Sequence, residues 1–131
     1  VMYGEKYNPS GVKSVELPMK GTIKNFYVLH STGWSETPGF EVMKYIFHYQ
    51  DGSEAVIPIH FGEEIDGWWE LKRQLPNAKI GLRFANSLCE SVGFFAFRAA
   101  NPHPEKPVKN LEIISLAMDS VPAVAAVTVE D

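Results

Sequence analysis

Residues 40–50 (FEVMKYIFHYQ) and 53–61 (SEAVIPIHF) flank an Asp51-Gly52 pair, and this stretch decides the fold. Both segments are rich in β-branched and aromatic residues, which favour strands. An Asp-Gly pair between two such runs is the strongest short-range signal for a β-hairpin. The stretch therefore predicts two antiparallel strands joined by a tight turn.

The hairpin also predicts which side chains face the core. With a two-residue turn, side-chain alternation gives an aromatic face and an aliphatic face. The aromatic face consists of Tyr45, Phe47, Tyr49, Val56, Pro58 and His60, and the aliphatic face consists of Ile46, His48, Ala55, Ile57 and Ile59. We expect the aliphatic face to pack in the core and the aromatic face to form a second packed layer or a ligand platform. A bulged turn would shift the register and void this assignment.

On either side of the hairpin, strand-like runs alternate with turn signals at the spacing of a β-sandwich. The predicted strands span residues 12–17, 22–31, 40–50, 53–61, 79–85, 93–99, 108–118 and 123–129. Residues 70–75 predict one helical turn that ends at Pro76. The chain is therefore predicted to be all-β, a β-sandwich or jelly roll of about eight antiparallel strands. We expect residues 1–131 to form a single domain that belongs to a larger protein.

Composition excludes several classes of function. With 45% hydrophobic and 12% aromatic residues the chain can fill a core, and its net charge of −4 with scattered Lys and Arg argues against nucleic acid as a partner. No run of 18 apolar residues is present, so we expect no membrane insertion. Cys89 is the only cysteine, so no internal disulfide forms. We expect a monomer.

Several short motifs, taken in order, resemble those of a known kind of domain. They are residues 26–31 (FYVLHS) with Trp34, then 45–52 (YIFHYQDG), 57–59 (IPI), 65–69 (IDGWW), 101–104 (NPHP) and 122–128 (PAVAAVT). This order resembles the galactose-binding-like β-sandwich domains, of carbohydrate-binding-module type, found in multimodular bacterial glycoside hydrolases. The resemblance implies a jelly roll, a secreted bacterial protein and a covalently linked catalytic domain as partner.

The candidate binding residues follow from what a sugar requires. Pyranose rings present C–H faces that stack on aromatic rings, while their hydroxyl groups need planar polar partners. Trp34, Trp68 and Trp69 lie in predicted loops beside glycines, where ligand contacts gather. The candidate polar contacts are Asp66, Arg83, Gln50 and Asn86. Alternation along residues 79–85 places Arg83 on the opposite side from Ile80, Leu82 and Phe84.

Metal and catalytic chemistry are poorly supported. The acidic segment Glu63, Glu64, Asp66 and Glu70 lacks the dense alternating acids of a calcium loop, and the four histidines lack zinc-site spacing. No nucleophile elbow is present. We therefore expect no catalytic residue and no cofactor, with a structural calcium ion as the alternative.

Three functions fit this sequence. The first is a non-catalytic carbohydrate-binding module that targets a secreted polysaccharide-degrading enzyme to a neutral β-glucan or hemicellulose. The second is a structural accessory sandwich that packs on a catalytic domain without binding sugar. The third is a small enzyme such as a lyase or esterase.

Overall fold

The computed structural model describes residues 1–69, 71 and 74–131, and they form an all-β structure. The eight strands are β1 (Ser14–Pro18), β2 (Asn25–Gly33), β3 (Glu41–Tyr49), β4 (Glu54–His60), β5 (Lys79–Phe84), β6 (Val92–Ala100), β7 (Val108–Ser115) and β8 (Val121–Glu130). The predicted fold class is confirmed, with a strand in each of the eight predicted places. The described residues contain no helix, and the turn predicted at 70–75 falls partly outside them, at residues 70, 72 and 73.

The strands form two antiparallel four-stranded sheets. Sheet I has the order β1-β7-β3-β4, and sheet II has the order β5-β6-β2-β8. Their inner faces meet around Phe26 of β2, whose ring lies 5.1 Å from that of Tyr45 and 5.4 Å from that of Phe47, both edge-to-face. Such pairs add about 1 kcal/mol each beyond the area they bury. The aromatic residues of the two sheets therefore hold the sandwich together.

In the β3–β4 hairpin, β4 faces as predicted and β3 faces the opposite way. The Tyr49 amide donates to the Ser53 carbonyl, and Gly52 adopts a φ of +86°, so the loop has three residues with glycine at a bulge rather than two. Tyr45 consequently pairs with Ile57. The buried face carries Tyr45, Phe47, Tyr49, Ile59 and, partly buried, Ala55 and Ile57. The predicted core side is therefore confirmed for β4 and wrong for β3, whose aromatic residues face the core instead of forming a second packed layer or a ligand platform.

Strand β5 contains a bulge that changes the expected orientation of its side chains. Ile80 pairs with Phe95 and Leu82 pairs with Phe94, so Ile80 and Leu82 lie on opposite sides of sheet II. The prediction that both oppose Arg83 is therefore wrong for Ile80. A Cβ at the intervening Gly81 would lie 2.7 Å from both Ala96 and Leu29, so only glycine fits there.

The two ends of the sandwich contain different loops. The hairpin end contains the 50–52 loop, and a buried Asn101 joins its segments by donating to the Ile23 carbonyl (2.8 Å) and accepting from the Tyr49 hydroxyl. The tryptophan end contains the loops that follow β2 and β4. No described helix is long and apolar enough to cross a bilayer.

Candidate functional site

Two of the three tryptophans line one cavity at the tryptophan end. The cavity has a volume of about 350 Å³, within the range of small-molecule sites. Its walls include Ser31, Trp34, Trp68, Phe94, Val121 and Ala123. Phe94 and Ala123 lie on the outer face of sheet II, because their neighbours Phe95 and Val124 pack against the core. We call this cavity the tryptophan pocket.

Trp34 is held in an unusual backbone conformation at the rim of this pocket. Its φ is +59°, which is an outlier for a bulky residue and is the only such value among the described non-glycine residues. The Thr32 hydroxyl donates to the Trp34 carbonyl (3.1 Å), and the Tyr7 ring stacks on the indole. The side chain is nevertheless 54% exposed. Strained residues of this kind concentrate at functional sites.

Trp68 is fixed by backbone pairing on both sides. The Trp68 amide donates to the Thr32 carbonyl (2.9 Å), and the Trp68 carbonyl accepts from the Gly93 amide (2.9 Å). The segment therefore lies between the end of β2 and the start of β6. The Asp66 carbonyl accepts from the Thr32 amide (3.0 Å), and its carboxylate accepts from the Gly67 amide (2.7 Å). Asp66 therefore helps position Trp68.

Trp69 supports its neighbour and is absent from the residues that line the pocket. Its ring meets that of Trp68 edge-to-face, with centroids 5.1 Å apart. Its backbone pairs with Val92 at the start of β6, and its side chain is 40% exposed. Trp69 therefore limits the movement of Trp68 from the solvent side.

The loop that follows β4 contains Trp68, and we call it the Trp68 loop. A buried histidine connects this loop to the core. His30 Nε2 donates to the Glu64 carbonyl (2.7 Å), so Nδ1 accepts from the Tyr45 hydroxyl (2.8 Å). Burial lowers the pKa of His30 to about 4, which keeps the imidazole neutral, and burial also raises the pKa of Tyr45. The two hydrogen bonds of the neutral His30 therefore hold the Glu64 backbone, near the start of the Trp68 loop, against the core.

The remaining polar candidates lie away from the pocket. Arg83 pairs with Gly93, so it faces the opposite side of sheet II from Phe94, and its guanidinium donates to the Leu71 carbonyl (3.4 Å). Asn86 lies at the tryptophan end, where its side chain accepts from two amides of its own loop. Gln50 lies in the hairpin loop, at the opposite end of the sandwich. Their predicted role as joint ligand contacts therefore finds no support in their positions.

Sequence reasoning missed two aromatic residues of the site. Phe94 was detectable, because alternation along residues 93–98 places it opposite Phe95 and Phe97, which face the core. Tyr7 had no such signal, since it lies in an irregular segment before β1. Its ring contacts Trp34 because folding brings these two residues together, which the local sequence does not indicate.

Several groups of titratable side chains lie outside the pocket. His60 Nδ1 is 3.4 Å from carboxylate oxygens of both Glu63 and Glu64, and these three residues are the set among the described residues that offers grouped metal ligands. Glu70, a further candidate carboxylate, lies outside the described residues. On the outer face of sheet I, His48 Nε2 lies 3.0 Å from Glu112, and this contact lowers the Glu112 pKa.

These features define an eight-stranded antiparallel β-sandwich with an aromatic pocket on the outer face of one sheet. No protein-family model matches the chain, and neither a curated protein nor a solved structure matches it. The resemblance to carbohydrate-binding domains therefore stays a prediction.

Proposed function

We propose that this domain is a non-catalytic carbohydrate-binding module of a secreted bacterial polysaccharide-degrading enzyme. The observation that supports this proposal is the grouping of Trp34, Trp68 and Phe94 around one apolar cavity. The ligand is a neutral β-glucan or hemicellulose, and the module raises the concentration of a linked catalytic domain on that polysaccharide.

The chemistry of the pocket suits the apolar faces of a sugar ring. Its walls are aromatic and aliphatic, so they provide stacking surfaces for the axial C–H groups. The hydroxyl groups at the ring edge remain directed toward water. The net charge of −4 favours a neutral ligand over a polyanion.

The rigidity of the pocket also supports binding. Ordering a mobile side chain on binding costs about 0.5–1.5 kcal/mol. The Trp34 ring is held by its stack on Tyr7. The Trp68 backbone is held by pairing to β2 and β6, and its ring by the edge-to-face contact with Trp69. Both rings are therefore arranged before the ligand arrives.

The proposal is tested by affinity electrophoresis and calorimetry of the isolated domain on barley β-glucan, hydroxyethyl cellulose, xylan and galactomannan. We expect retardation on one class of glycan and a loss of about tenfold in affinity for Trp68→Ala, equivalent to about 1.4 kcal/mol. Phe40→Ala serves as the matched control, because Phe40 is 56% exposed and lies outside the pocket. Absence of retardation on every glycan would overturn the proposal, as would equal losses in the two variants.

A structural accessory sandwich is the second candidate. The observation that favours it is a group of exposed apolar side chains on β5 and the loop that follows, where Leu82 and Phe84 are each 44% exposed and Leu88 is 83% exposed. Exposed apolar patches mark contacts with other proteins or domains. This candidate predicts that no glycan binds and that Leu82→Ser with Phe84→Ser reduces self-association of the isolated domain.

A further inference from the structure

The outer face of sheet II carries a second cavity, toward its hairpin end. Its volume is about 540 Å³, and its walls include Tyr27, Pro76, Lys79, Ala96 and Arg98. Tyr27 pairs with Arg98, and Leu29 pairs with Ala96. Since Tyr27, Leu29 and Ser31 alternate with the core residues of β2, both cavities open on the same face.

A leucine flanked by two alanines separates the two cavities. Across the middle of the face, Leu29 pairs with Ala96 on one side and Ala126 on the other. Gly81 lies beside this row, where no Cβ fits. Lys79 pairs with Ala96 and forms the charged end of this row on β5. No aromatic residue belongs to the row, so the floor along β2 between the cavities is low. The two cavities and this row follow β2 along the outer face of sheet II, and we call them together the groove.

The length of the groove corresponds to a short oligosaccharide. Ser31, in the tryptophan pocket, lies four residues along β2 from Tyr27. A strand rises about 3.3 Å per residue, so the two positions are about 13 Å apart, a span of roughly three pyranose rings. A single sugar ring in the tryptophan pocket does not reach Tyr27.

The Tyr27 end of the groove offers both an aromatic ring and polar partners. The Glu130 carboxylate accepts from the Asn25 amide (2.7 Å) and from the Tyr27 hydroxyl (3.0 Å). The Arg98 guanidinium donates to Asn25 Oδ1 (3.0 Å) and lies 6.0 Å from the centre of the Tyr27 ring. The hydrogen bonds from Asn25 and Tyr27 also lower the pKa of Glu130, which stays an acceptor at neutral pH.

We infer that Tyr27 and its polar neighbours form a second sugar subsite, and that the groove binds an internal stretch of a linear glycan chain. The inference rests on the proposed function and deepens it, because a pocket alone would suit a chain end or a single residue. The tryptophan pocket holds one part of the chain, the low floor accommodates the rings between, and Tyr27 stacks on a ring at the far end.

The test is calorimetry with cello- and xylo-oligosaccharides of two to six residues, combined with amide NMR shifts. We expect affinity to rise with length up to about four or five residues. Tyr27→Ala lowers the affinity for the hexasaccharide about tenfold and leaves that for the disaccharide unchanged, whereas Trp68→Ala lowers both. Tyr27→Phe keeps the ring and retains most of the affinity. Amides near Tyr27 and Arg98 shift only with the longer ligands.

Four results would overturn the inference. Equal affinity for disaccharide and hexasaccharide, or a Tyr27→Ala variant that binds the hexasaccharide normally, would leave a single pocket and the proposed function intact. Loss of binding after borohydride reduction of the chain end would show that the end itself is recognised. Failure of every oligosaccharide and polysaccharide to bind would overturn the inference and the proposed function together.

Discussion

The Tyr7 ring lies parallel to the Trp34 indole, with ring centroids 4.3 Å apart and an angle of 4° between the planes. The segment before β1 therefore covers one face of a tryptophan that follows β2. The remaining exposed area of the indole borders the tryptophan pocket. The stack thereby restricts the rotamers of an exposed ring without burying it.

Removing this stack is expected to weaken glycan binding without unfolding the domain. Tyr7→Ala frees the indole, and we expect a loss of about 0.5–1 kcal/mol in binding free energy, a two- to fivefold weaker Kd. Tyr7→Phe preserves the stack and serves as the control. Calorimetry measures the affinity and near-ultraviolet circular dichroism reports the order of Trp34. Unchanged affinity in Tyr7→Ala would show that the stack does not prearrange the site.

The backbone at Trp34 predicts an unusual order of stabilities. Because its φ is +59°, glycine suits the position better than alanine, and we expect Trp34→Gly to be more stable than Trp34→Ala by about 1 kcal/mol. Urea unfolding of the two variants measures the difference. At Trp68, where φ is not positive, we expect the ordinary order, in which Trp68→Ala is more stable than Trp68→Gly. Alanine ahead at both positions would contradict the assignment of strain to Trp34.

Asn101 is expected to be the most costly polar residue to remove at the hairpin end. It is 4% exposed, and its amide satisfies the Ile23 carbonyl, the Tyr49 hydroxyl and the His103 amide. Asn101→Ala leaves these groups buried and unpaired, and we expect a loss of about 2–4 kcal/mol in the free energy of unfolding. Asn86→Ala, at an exposed loop, is expected to cost less than about 1 kcal/mol. Similar costs in urea unfolding would contradict this account.

The eight strands were predictable because each is a run of strand-forming residues bounded by turn signals. The orientation of β3 relative to β4 was not, since Asp51-Gly52 fits both a two-residue and a three-residue loop. One local and one long-range contact support the longer loop: the Asp51 carboxylate accepts from the Ser53 amide and pairs with Lys106 Nζ at 2.9 Å. Local sequence contains no sign of the Lys106 contact.

The three-residue loop predicts a specific role for Gly52. Its φ of +86° disfavours any L side chain, although no atom lies within 4 Å of a Cβ built there. We therefore expect Gly52→Ala to cost about 1 kcal/mol through backbone strain alone. Gly33→Ala, at a position without positive φ, is the matched control. A neutral Gly52→Ala variant in urea unfolding would contradict the loop conformation.

The candidate site was predictable in part. Trp34 and Trp68 were recognisable as loop tryptophans beside glycines, but their meeting depends on the Thr32 backbone, which pairs with the segment before Trp68. The Gln50 amide has the chemistry to bind sugar hydroxyls, but the strand order places it at the other end of the sandwich. The type of a residue shows which ligand groups it can contact, whereas the strand order decides which residues lie near one another.

The buried His30 predicts a pH dependence of stability. Burial lowers its pKa from 6.5 to about 4, so between these values the unfolded chain binds a proton that the folded domain does not. The free energy of unfolding contributed by His30 is therefore complete above pH 6.5 and falls as pH decreases toward 4. The loss is about 3 kcal/mol in all. Urea unfolding from pH 7 to pH 4.5 measures it.

The fall in the free energy of unfolding caused by His30 can be separated from carboxylate titration and from changes in glycan affinity. Glu112 and Glu130 have pKa values lowered from 4.5, so the stability that they contribute is lost only at pH values near 4.5 and below. In the folded domain His30 stays neutral above pH 5, and its bond to the Glu64 carbonyl keeps the Trp68 loop in place. We therefore expect His30 to leave glycan affinity constant from pH 7 to pH 5 while stability decreases. A side-chain NMR titration that places the His30 pKa above 6 would contradict both expectations.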